Sequence, residues 1–598
     1  MEVDSKEEAL NYLLMLVVPG KHAVHWFRRG LRLHDNPALL EALKGADTLR
    51  CVYILDPWAA RGAGANALNK WRFLLESLTD LDTSLKSRLD CRLHVVRGQP
   101  ADALPALLER WGVTLLSYET DPEPYGRARD RKLAARCRDN GVEIVEYESH
   151  TLYPLDSIIE HNGGSAPVTF EQFLGVLTTM GPPDPPAGPV RRDRLFTTRT
   201  RVPTDPDYDQ SYAVPTLAEL GFEANSSEPP VWRGGEAEAL ARLERHAEKR
   251  TLALNSSPNS DTLPPGFLMA DGAGLSPYLR FGCLSARLCY HQLAELQRLP
   301  STNGNSNFNL APATKPLLQP PPAVMPLLWR EFLYCCGADN PRFDRVQGNP
   351  LCLQTPWDRD PTALAKWANG QTGFPWIDAA MSQLRSEGWI HHLARFALID
   401  FLTKGALFIS WEEGMKVFED LLLDADWSTN AGSWLWLSCS SFFRKPAPSV
   451  CPVALGKLVD PDAEYIRKYV PALRGFRSAR LVHAPWLASR EEQRRAACRL
   501  GAQYPLPLLV DHARTRKENA RRTRLACETL PGYRNRERRL SESFQDESDI
   551  DCNCEPVIPK QQIAQDEPIM DTNIHLPDIR QEIKSLPEFE STINSLFI

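Results

Sequence analysis

The sequence predicts an α/β domain with a doubly wound parallel sheet at residues 21–150 and an all-α domain at 236–530, followed by a disordered tail at 531–598. Three observations predict this class. Short apolar runs alternate with amphipathic segments up to residue 150, and helical periodicity replaces them after residue 236. The tail is basic and then acidic with little apolar periodicity, so it cannot bury enough surface to fold alone.

In the first domain, five short apolar runs are typical of buried strands and three amphipathic patterns are typical of helices. Because the two kinds of segment alternate strictly, we expect a parallel sheet with helices on both faces. No G-x-G-x-x-G motif follows the first run, so the fold class alone predicts no dinucleotide site. The predicted strands cover 23–27, 49–55, 93–96, 115–118 and 142–145, and the predicted helices cover 66–87, 101–112 and 125–139.

The segment 151–235 is rich in Pro, Gly, Asp and Thr, with GPPDPP at 181–186, and is predicted to be an inter-domain connector. After it, Leu240, Leu243 and Ala247 begin the helical spacing that continues to residue 530. An Asn-rich and Pro-rich stretch at 301–325 interrupts this pattern and predicts a disordered loop.

Composition excludes several classes of protein. Hydrophobic residues at 43% and charged residues at 24% are close to globular averages, which excludes a wholly disordered or collagen-like chain. Fourteen cysteines without a C-x-x-C pair predict neither a disulfide framework nor a zinc site. The N-terminal extension, 1–20, begins with acidic residues, and its apolar run at 12–18 is too short to span a bilayer. We therefore expect a soluble, intracellular protein without membrane contact.

Eight of the fifteen tryptophans lie between residues 357 and 436, among polar side chains. His392 and Arg395 stand three positions apart and share one face of a predicted helix. Asp424, Asp426 and Asn430 follow in a second cluster. An aromatic-rich helical pocket with a few convergent polar groups is typical of a cofactor site, and large side chains that only fill a core are the alternative.

Upstream, the sequence GAGLSP at 272–277 places small residues ahead of Ser276. Backbone N–H groups and the Ser276 hydroxyl could hold a phosphate here. A serine followed by proline is also typical of an ordinary helix N-cap with proline in the first helical position. The residues alone leave both interpretations open.

Five motifs together resemble the cryptochrome and photolyase family. Within it, they are similar to the animal branch that contains vertebrate-type cryptochromes and (6-4) photolyases. The resemblance covers about residues 22–530. The motifs are WFRRGLRLHDNP at 26–37, GLSPYLRFGCLS at 274–285, LWREF at 328–332, TGFPWID at 372–378 and DADWSTNAGSWLWLSCSSFF at 424–443.

The resemblance implies that the helical domain binds FAD in a U-shaped conformation, and it leaves the antenna chromophore open. Ser276 would meet the phosphates, and Asp424 would pair with Arg395. Asp426 would accept a hydrogen bond from flavin or ribose, and Asn430 would face flavin N5. The residues that the resemblance assigns to FAD are Ser276, Trp329, Arg330, His392, Arg395, Asp424, Ala425, Asp426 and Asn430.

Trp434, Trp411 and Trp357 match the three-tryptophan chain by which the family passes an electron to photoexcited flavin; packing alone is the alternative for these residues. Two positions depart from the family pattern at the expected flavin edge. Pro326 stands where the family has glutamine, and Gln371 stands where it has arginine. Gly272 and Ala273 stand where Ser or Thr would help to bind phosphate, and the segment 444–450 replaces a usually aromatic, His-containing run. Together these departures predict weak FAD binding.

The resemblance implies a cryptochrome flavoprotein that represses transcription in the circadian clock through protein contacts and is not an enzyme. The expected partners are a basic helix-loop-helix PAS activator pair, period proteins and a ubiquitin ligase adaptor. Trp71 would anchor a partner side chain in a pocket of the α/β domain, and Trp71→Ala would leave the melting temperature nearly unchanged.

Two alternative functions stay open. A blue-light photoreceptor would use photoreduction of FAD through the three tryptophans. A (6-4) photolyase is less favoured, because repair in this family uses a histidine at the position of His392 and another four residues later. This chain has Phe396 there, which cannot transfer a proton.

Basic clusters at 514–517 and 521–524 predict the solvated face of a last helix, and they resemble a bipartite nuclear import signal. We therefore expect the protein in both nucleus and cytoplasm. Any contact with DNA would be weak, nonspecific and sensitive to salt, because it would involve phosphates alone.

Overall fold

The computed structural model describes residues 20–56, 68–190, 212–222, 230–255, 266–296, 320–441 and 449–528. Residues 1–19 of the N-terminal extension, 301–319 of the predicted loop and the tail at 531–598 lie outside the described residues. The expectations for these three segments therefore stay predictions.

The first domain contains a parallel sheet whose strand order is β3-β2-β1-β4-β5. The chain builds outward from β1 in one direction and then in the other, which confirms the predicted doubly wound sheet. Strand β1 is buried from Ala23 to Phe27, as a central strand covered on both faces must be. The strands are β1 (His22–Phe27), β2 (Thr48–Leu55), β3 (Leu93–Arg97), β4 (Leu115–Glu119) and β5 (Glu143–Tyr147).

Four described helices accompany this sheet. Three of them begin with a proline. Proline is tolerated in this position because an N–H in the first turn would have no partner within the helix. The first helix was not predicted from the sequence, because seven residues are too few to establish a helical period. The helices are α1 (Pro37–Leu43), α2 (Leu68–Leu89), α3 (Pro100–Arg110) and α4 (Pro124–Asp139).

The connector is more ordered than its proline-rich composition predicts. It contains α5 (Leu155–His161), α6 (Phe170–Met180) and a 3-10 turn at Ala218–Leu220. The ring of Phe170 lies 5.0 Å from that of Trp329, and the ring of Phe173 lies 5.6 Å from that of Phe332. The connector therefore packs against the helical domain.

The regular elements described in the second domain are helices, apart from two isolated β-bridges that join Asp358 to Ile409 and Leu500 to Tyr504, which confirms the predicted change of periodicity after residue 236. Within the predicted loop, residues 320–325 are ordered, because Ala323 and Val324 are buried and α10 begins at Met325. The prediction of disorder is therefore wrong for these residues. The helices are α7 (Glu236–Asn255), α8 (Ser276–Phe281), α9 (Ala286–Leu296), α10 (Met325–Asp339), α11 (Pro361–Ala368), α12 (Pro375–Glu387), α13 (His392–Leu402), α14 (Trp411–Leu421), α15 (Trp427–Leu437), α16 (Pro452–Val459), α17 (Glu464–Tyr469), α18 (Ala479–His483), α19 (Arg490–Arg495) and α20 (His512–Glu528).

The two domains approach each other closely at Gly282, the residue after α8. Its φ is +67°, a left-handed conformation that favours glycine. Its carbonyl accepts a hydrogen bond from Nη1 of the buried Arg32 at 3.1 Å. A Cβ at this position would lie 1.5 Å from the backbone oxygen of Arg29. The junction therefore requires glycine for both conformation and space.

A buried carboxylate on α10, that of Glu331, holds the start of the connector. Its oxygens accept the backbone N–H of Leu152 at 3.0 Å and that of Tyr153 at 2.9 Å. Burial raises the pKa of Glu331 from 4.5 to about 7. The carboxyl group of Glu331 therefore stays protonated to a higher pH in the folded protein than in the unfolded chain. The stability linked to Glu331 is therefore present below pH 4.5 and is lost as the pH rises through about 7.

We expect Glu331→Gln to remove this pH dependence. Relative to the variant, the free energy of unfolding of the wild type should fall by about 3 kcal/mol between roughly pH 4 and 8, because only the wild type must ionise a buried carboxyl. Chemical denaturation at a series of pH values measures this difference. Glu109→Gln, at an exposed position of α3, controls for the substitution itself. If the free energies of unfolding of wild type and Glu331→Gln differed by the same amount at every pH, the raised pKa would be contradicted.

Candidate cofactor cavity

A cleft opens in the helical domain between α8, α10, α13, α14 and α15. It contains about 780 Å³ of empty space, counted out to its mouth. Cofactor sites combine apolar walls with a few polar groups. The lining residues are Ser276, Leu279, Arg280, Pro326, Trp329, Arg330, Leu333, Arg395, Ile399, Phe418, Leu422, Asp424, Ala425, Asp426, Thr429, Asn430, Ser433 and Leu437.

The ion pair that the resemblance implies is present at one wall of this cavity. Nη2 of Arg395 on α13 lies 2.7 Å from Oδ2 of Asp424, which precedes α15. Nε of Arg395 donates to the carbonyl of Ile390 at 3.1 Å, so the guanidinium is held at two points. Both side chains are largely buried, and removal of either partner would leave the other charge uncompensated.

The other oxygen of Asp424, Oδ1, is buried and has no hydrogen-bond partner among the described residues. Buried acceptors in folded proteins are normally satisfied, so an orphan acceptor in a cavity wall indicates a missing donor. A ligand with N–H or O–H groups would supply that donor. The cavity is therefore chemically suited to a polar cofactor.

Ser276 does not cap α8. Leu275 stands at the N-cap position and Ser276 is the first residue of the helix, so the capping interpretation is wrong. The Ser276 hydroxyl instead donates to Oδ2 of Asp424 at 2.6 Å. It thereby helps to orient the carboxylate whose second oxygen is free.

The N-terminus of α15 brings two further predicted residues into the cavity wall. Asp426 is the N-cap of the helix, and its Oδ1 accepts the backbone N–H of Thr429 at 2.8 Å. One turn later, Nδ2 of Asn430 donates to the carbonyl of Met415 on α14 at 3.1 Å. Capping and packing between helices thus fix both side chains.

Trp329 and Arg330 line the cavity from α10. The ring of Trp329 lies 5.2 Å from that of Trp436. Nη2 of Arg330 lies 2.7 Å from Nε2 of the buried His150. Burial and the charge of Arg330 lower the pKa of His150 well below its ordinary value, so the ring is neutral. Since arginine only donates, Nε2 accepts and Nδ1 of His150 carries the proton.

His392, also predicted to lie by the flavin, is the first residue of α13 and is buried, but it does not belong to the cavity lining. Its ring centroid lies 3.9 Å from that of His391, the N-cap of the helix, with the two rings tilted by 37°. Burial lowers the pKa of His391 to about 3. Phe396, one turn further along α13, is 2% exposed. His391 is therefore neutral at physiological pH, and Phe396 adds a buried hydrocarbon ring.

The three predicted electron-transfer tryptophans lie at different depths. Trp434 on α15 is fully buried, and its ring lies 5.0 Å from that of Phe418, which lines the cavity. Trp411, the first residue of α14, is also fully buried. Trp357 is half-buried, and its ring lies 4.8 Å from that of Phe408. Trp434 therefore packs beside a cavity residue and Trp357 reaches the surface, while the electron-transfer role of the three indoles stays a prediction.

Arg280 also lines the cavity, although its sequence pattern did not predict it as a site residue. Its Nε donates to the carbonyl of Ala425 at 3.1 Å, so this arginine also fixes the residue between Asp424 and Asp426. The signal was available, because Arg280 follows Ser276 by four positions and shares its helix face. The apolar neighbours of Arg280 in SPYLRF hid it.

The two predicted departures at the flavin edge have different outcomes. Pro326 lines the cavity, where its ring replaces a side chain that could donate a hydrogen bond. Gln371 is exposed and does not line the cavity. The turn after α11 directs Gln371 to solvent, so this residue makes no contact in the cavity. Residues 444–448 of the altered segment lie outside the described residues, and the weak binding of FAD stays a prediction.

Trp71 on α2 is only 7% exposed, and its ring lies 6.3 Å from that of Phe222. A partner could meet only an edge of the indole. Truncation of such a side chain to alanine costs about 3–5 kcal/mol. The expectation that Trp71→Ala leaves the melting temperature nearly unchanged is therefore corrected.

No helix in the described part of the chain is long and apolar enough to cross a membrane. The same residues contain no group of three His, Cys, Asp or Glu side chains that could hold a metal ion. The twelve cysteines within the described ranges are free thiols.

Comparison with known proteins agrees with this geometry. Residues 23–189 match the model of the DNA photolyase family, and residues 323–524 match the FAD binding domain of DNA photolyase. The chain is 51% identical over 515 residues to cryptochrome-1 of Rattus norvegicus, covering 86% of this chain and 84% of that protein. It is 49% identical over 512 residues to cryptochrome-2 of Gallus gallus, covering 86% of this chain and 84% of that protein.

Solved structures share the fold. A bacterial class III photolyase from Agrobacterium tumefaciens matches with a TM-score of 0.67 at 26% identity, covering 86% of this chain and 99% of that one. A Synechocystis cryptochrome matches with a TM-score of 0.68 at 24% identity, covering 84% of this chain and 99% of that one. The chain therefore belongs to the cryptochrome and photolyase family, in which it is similar to the vertebrate cryptochromes.

Proposed function

We propose that this cryptochrome represses transcription in the circadian clock through protein contacts. The observation that carries the proposal is its identity to vertebrate cryptochromes across both domains. Its proposed partners are a basic helix-loop-helix PAS activator pair, period proteins and a ubiquitin ligase adaptor.

The proposed cofactor is FAD, bound weakly. The orphan Oδ1 of Asp424, the fixed charge of Arg395 and the amide of Asn430 fit a polar ligand with an apolar ring system. When bound, FAD supplies a chromophore that absorbs blue light and accepts electrons. Pro326 contributes no hydrogen-bonding side chain to the same wall, which supports weak binding.

We propose that the protein is not a repair enzyme. General acid catalysis needs a group that titrates near neutrality within reach of the substrate. The position that should supply it holds Phe396, a buried hydrocarbon ring. The buried His391 nearby stays neutral at physiological pH, because its pKa is lowered to about 3. Neither residue can donate the proton.

A blue-light photoreceptor is the second candidate. The contact of the Trp434 ring with Phe418 at the cavity wall, together with the half-buried position of Trp357, favours it. A reporter assay of repression in darkness and under blue light separates the two roles. Equal repression in both conditions supports the light-independent repressor.

Trp71→Ala tests the proposed partner surface. We expect repression to weaken strongly, because loss of an aromatic anchor reduces partner affinity about 10-fold or more. The indole is buried, so the variant also loses stability, and repression must be compared at equal levels of folded protein.

Leu81→Ala is the matched control, since Leu81 lies on the same helix and is completely buried. It should cost similar stability without removing an anchor. Retained repression in Leu81→Ala and lost repression in Trp71→Ala would support the partner surface. Equal loss in both variants would show that unfolding explains the effect and would favour the photoreceptor role.

We propose that the protein distributes between nucleus and cytoplasm, with import supported by the basic clusters on α20. Arg521 pairs with Glu518 at 2.7 Å, and Arg522 pairs with Asp358 at 2.7 Å, so part of this charge is already used within the fold. The remaining positive charge supports only weak, salt-sensitive contact with nucleic acid.

A further inference from the structure

Glu123 belongs to the α/β domain but reaches a helix of the other domain. It stands at the N-cap position of α4, just beyond the end of β4, and its side chain is 13% exposed. Oε1 accepts the backbone N–H of Trp427 at 3.0 Å. Trp427 is the first residue of α15, which forms a wall of the cofactor cavity.

The first N–H groups of a helix have no partner within the helix itself. In α15, the carboxylate of Asp426 accepts the N–H of Thr429, and the backbone carbonyl of Asp426 accepts that of Asn430. The N–H of Trp427 is satisfied by Glu123. The helix therefore has two caps, one from its own chain segment and one from the other domain. A carboxylate is favoured at this end by the helix dipole.

The second oxygen of Glu123 is also held. Oε2 accepts a hydrogen bond from Nη2 of Arg29, which follows β1 and also lies 3.8 Å from Asp121. Glu123 is thus fixed between the carboxyl end of the sheet and the start of α15. A shift of this carboxylate would move or fray the turn that carries Asp426 and Asn430.

We propose that Glu123 is a positioning residue for the cofactor cavity, which sets the first turn of α15 from the α/β domain. The effect of Glu123 on flavin binding rests on the proposed cofactor. The effect of Glu123 on the first turn of α15 is independent of any cofactor.

The first test is amide hydrogen exchange in the flavin-free protein. Glu123→Ala should speed exchange in the first turn of α15 by at least about 10-fold, because the Trp427 N–H loses its acceptor. Glu123→Gln removes the charge but keeps an oxygen, and it should speed exchange at the same place by about 3-fold. This milder variant serves if the alanine variant does not fold.

Asp130→Ala is the control for general loosening. Asp130 is a buried carboxylate of α4 that pairs with Arg28 at 2.6 Å and has no bond to α15 among the described residues. Its loss should destabilise the α/β domain while α15 exchanges as in the wild type. Unchanged α15 exchange in both Glu123 variants, or an equal rise in Asp130→Ala, would overturn the proposal.

The second test is flavin affinity and the absorption spectrum of bound flavin. Glu123→Ala should raise the FAD dissociation constant by about 5-fold or more and shift the fine structure of the flavin band, whereas Asp130→Ala should change neither. If the wild type binds FAD and Glu123→Ala matches it in both readouts, the role in the cavity is overturned. If the wild type binds no FAD while exchange in α15 changes as expected, the proposed cofactor fails and the positioning role stands.

Discussion

Gly282→Ala is expected to abolish stable folding or to lower the free energy of unfolding by at least about 4 kcal/mol. The added Cβ would lie 1.5 Å from the carbonyl oxygen of Arg29, and a backbone atom cannot rotate away as a side chain can. The two domains must therefore move apart at Gly282. Soluble yield and the midpoint of thermal unfolding measure the effect.

Gly45→Ala isolates the cost of the backbone conformation. Gly45 has nearly the same φ, +65° against +67° for Gly282, but nothing lies within 4 Å of its Cβ position. It should therefore lose only about 1 kcal/mol, the cost of a left-handed residue with a side chain. Equal destabilisation of the two variants would contradict a steric role for the junction.

Asp424→Ala is expected to cost about 3–5 kcal/mol of folding stability, because it leaves the guanidinium of Arg395 buried without its counter-charge. The Ser276 hydroxyl loses its acceptor in the same substitution. Chemical denaturation of the flavin-free protein gives this value without a contribution from cofactor loss. Flavin binding should be lost as well.

An exposed ion pair provides the comparison. Glu413→Ala breaks the pair between Glu413 and Lys416, whose side chains are 44% and 61% exposed. Such pairs contribute about 0.5 kcal/mol or less. If Asp424→Ala costs no more than Glu413→Ala, the cavity pair does not stabilise the fold.

The elements that the sequence predicts well are those with long or repeated patterns. The five strands and helices α2, α3 and α4 are found within a few residues of their predicted bounds, because the alternation of strand and helix patterns through the domain is hard to mistake. Helix α1 has too few residues for a period, and proline-rich composition hid the helices of the connector. In both cases tertiary packing, rather than local pattern, stabilises the helix.

The cavity residues could be predicted only in part. A motif identified the Asp424 segment, and the spacing from His392 identified Arg395, while Arg280, which lies inside another motif, was hidden among apolar neighbours. The bond from Glu123 to Trp427 joins residues 304 positions apart, and no local pattern encodes it. The burial of Trp71 likewise depends on Phe222, which comes from a distant segment. Contacts between remote segments therefore account for what the sequence left undetermined.

The packing of the connector has a consequence for where the chain can be divided. Helix α6 places Phe170 and Phe173 against the rings of α10, and Glu331 binds the backbone at residues 152–153. A fragment that begins at residue 236 would expose the aromatic rings of α10 to water. It would also leave the buried carboxylate of Glu331 without its two backbone donors. In terms of cooperative unfolding, the first part of the connector, through α6, is the outer layer of the helical domain. A fragment that contains the helical domain should therefore begin near residue 150, although the composition changes again at 236.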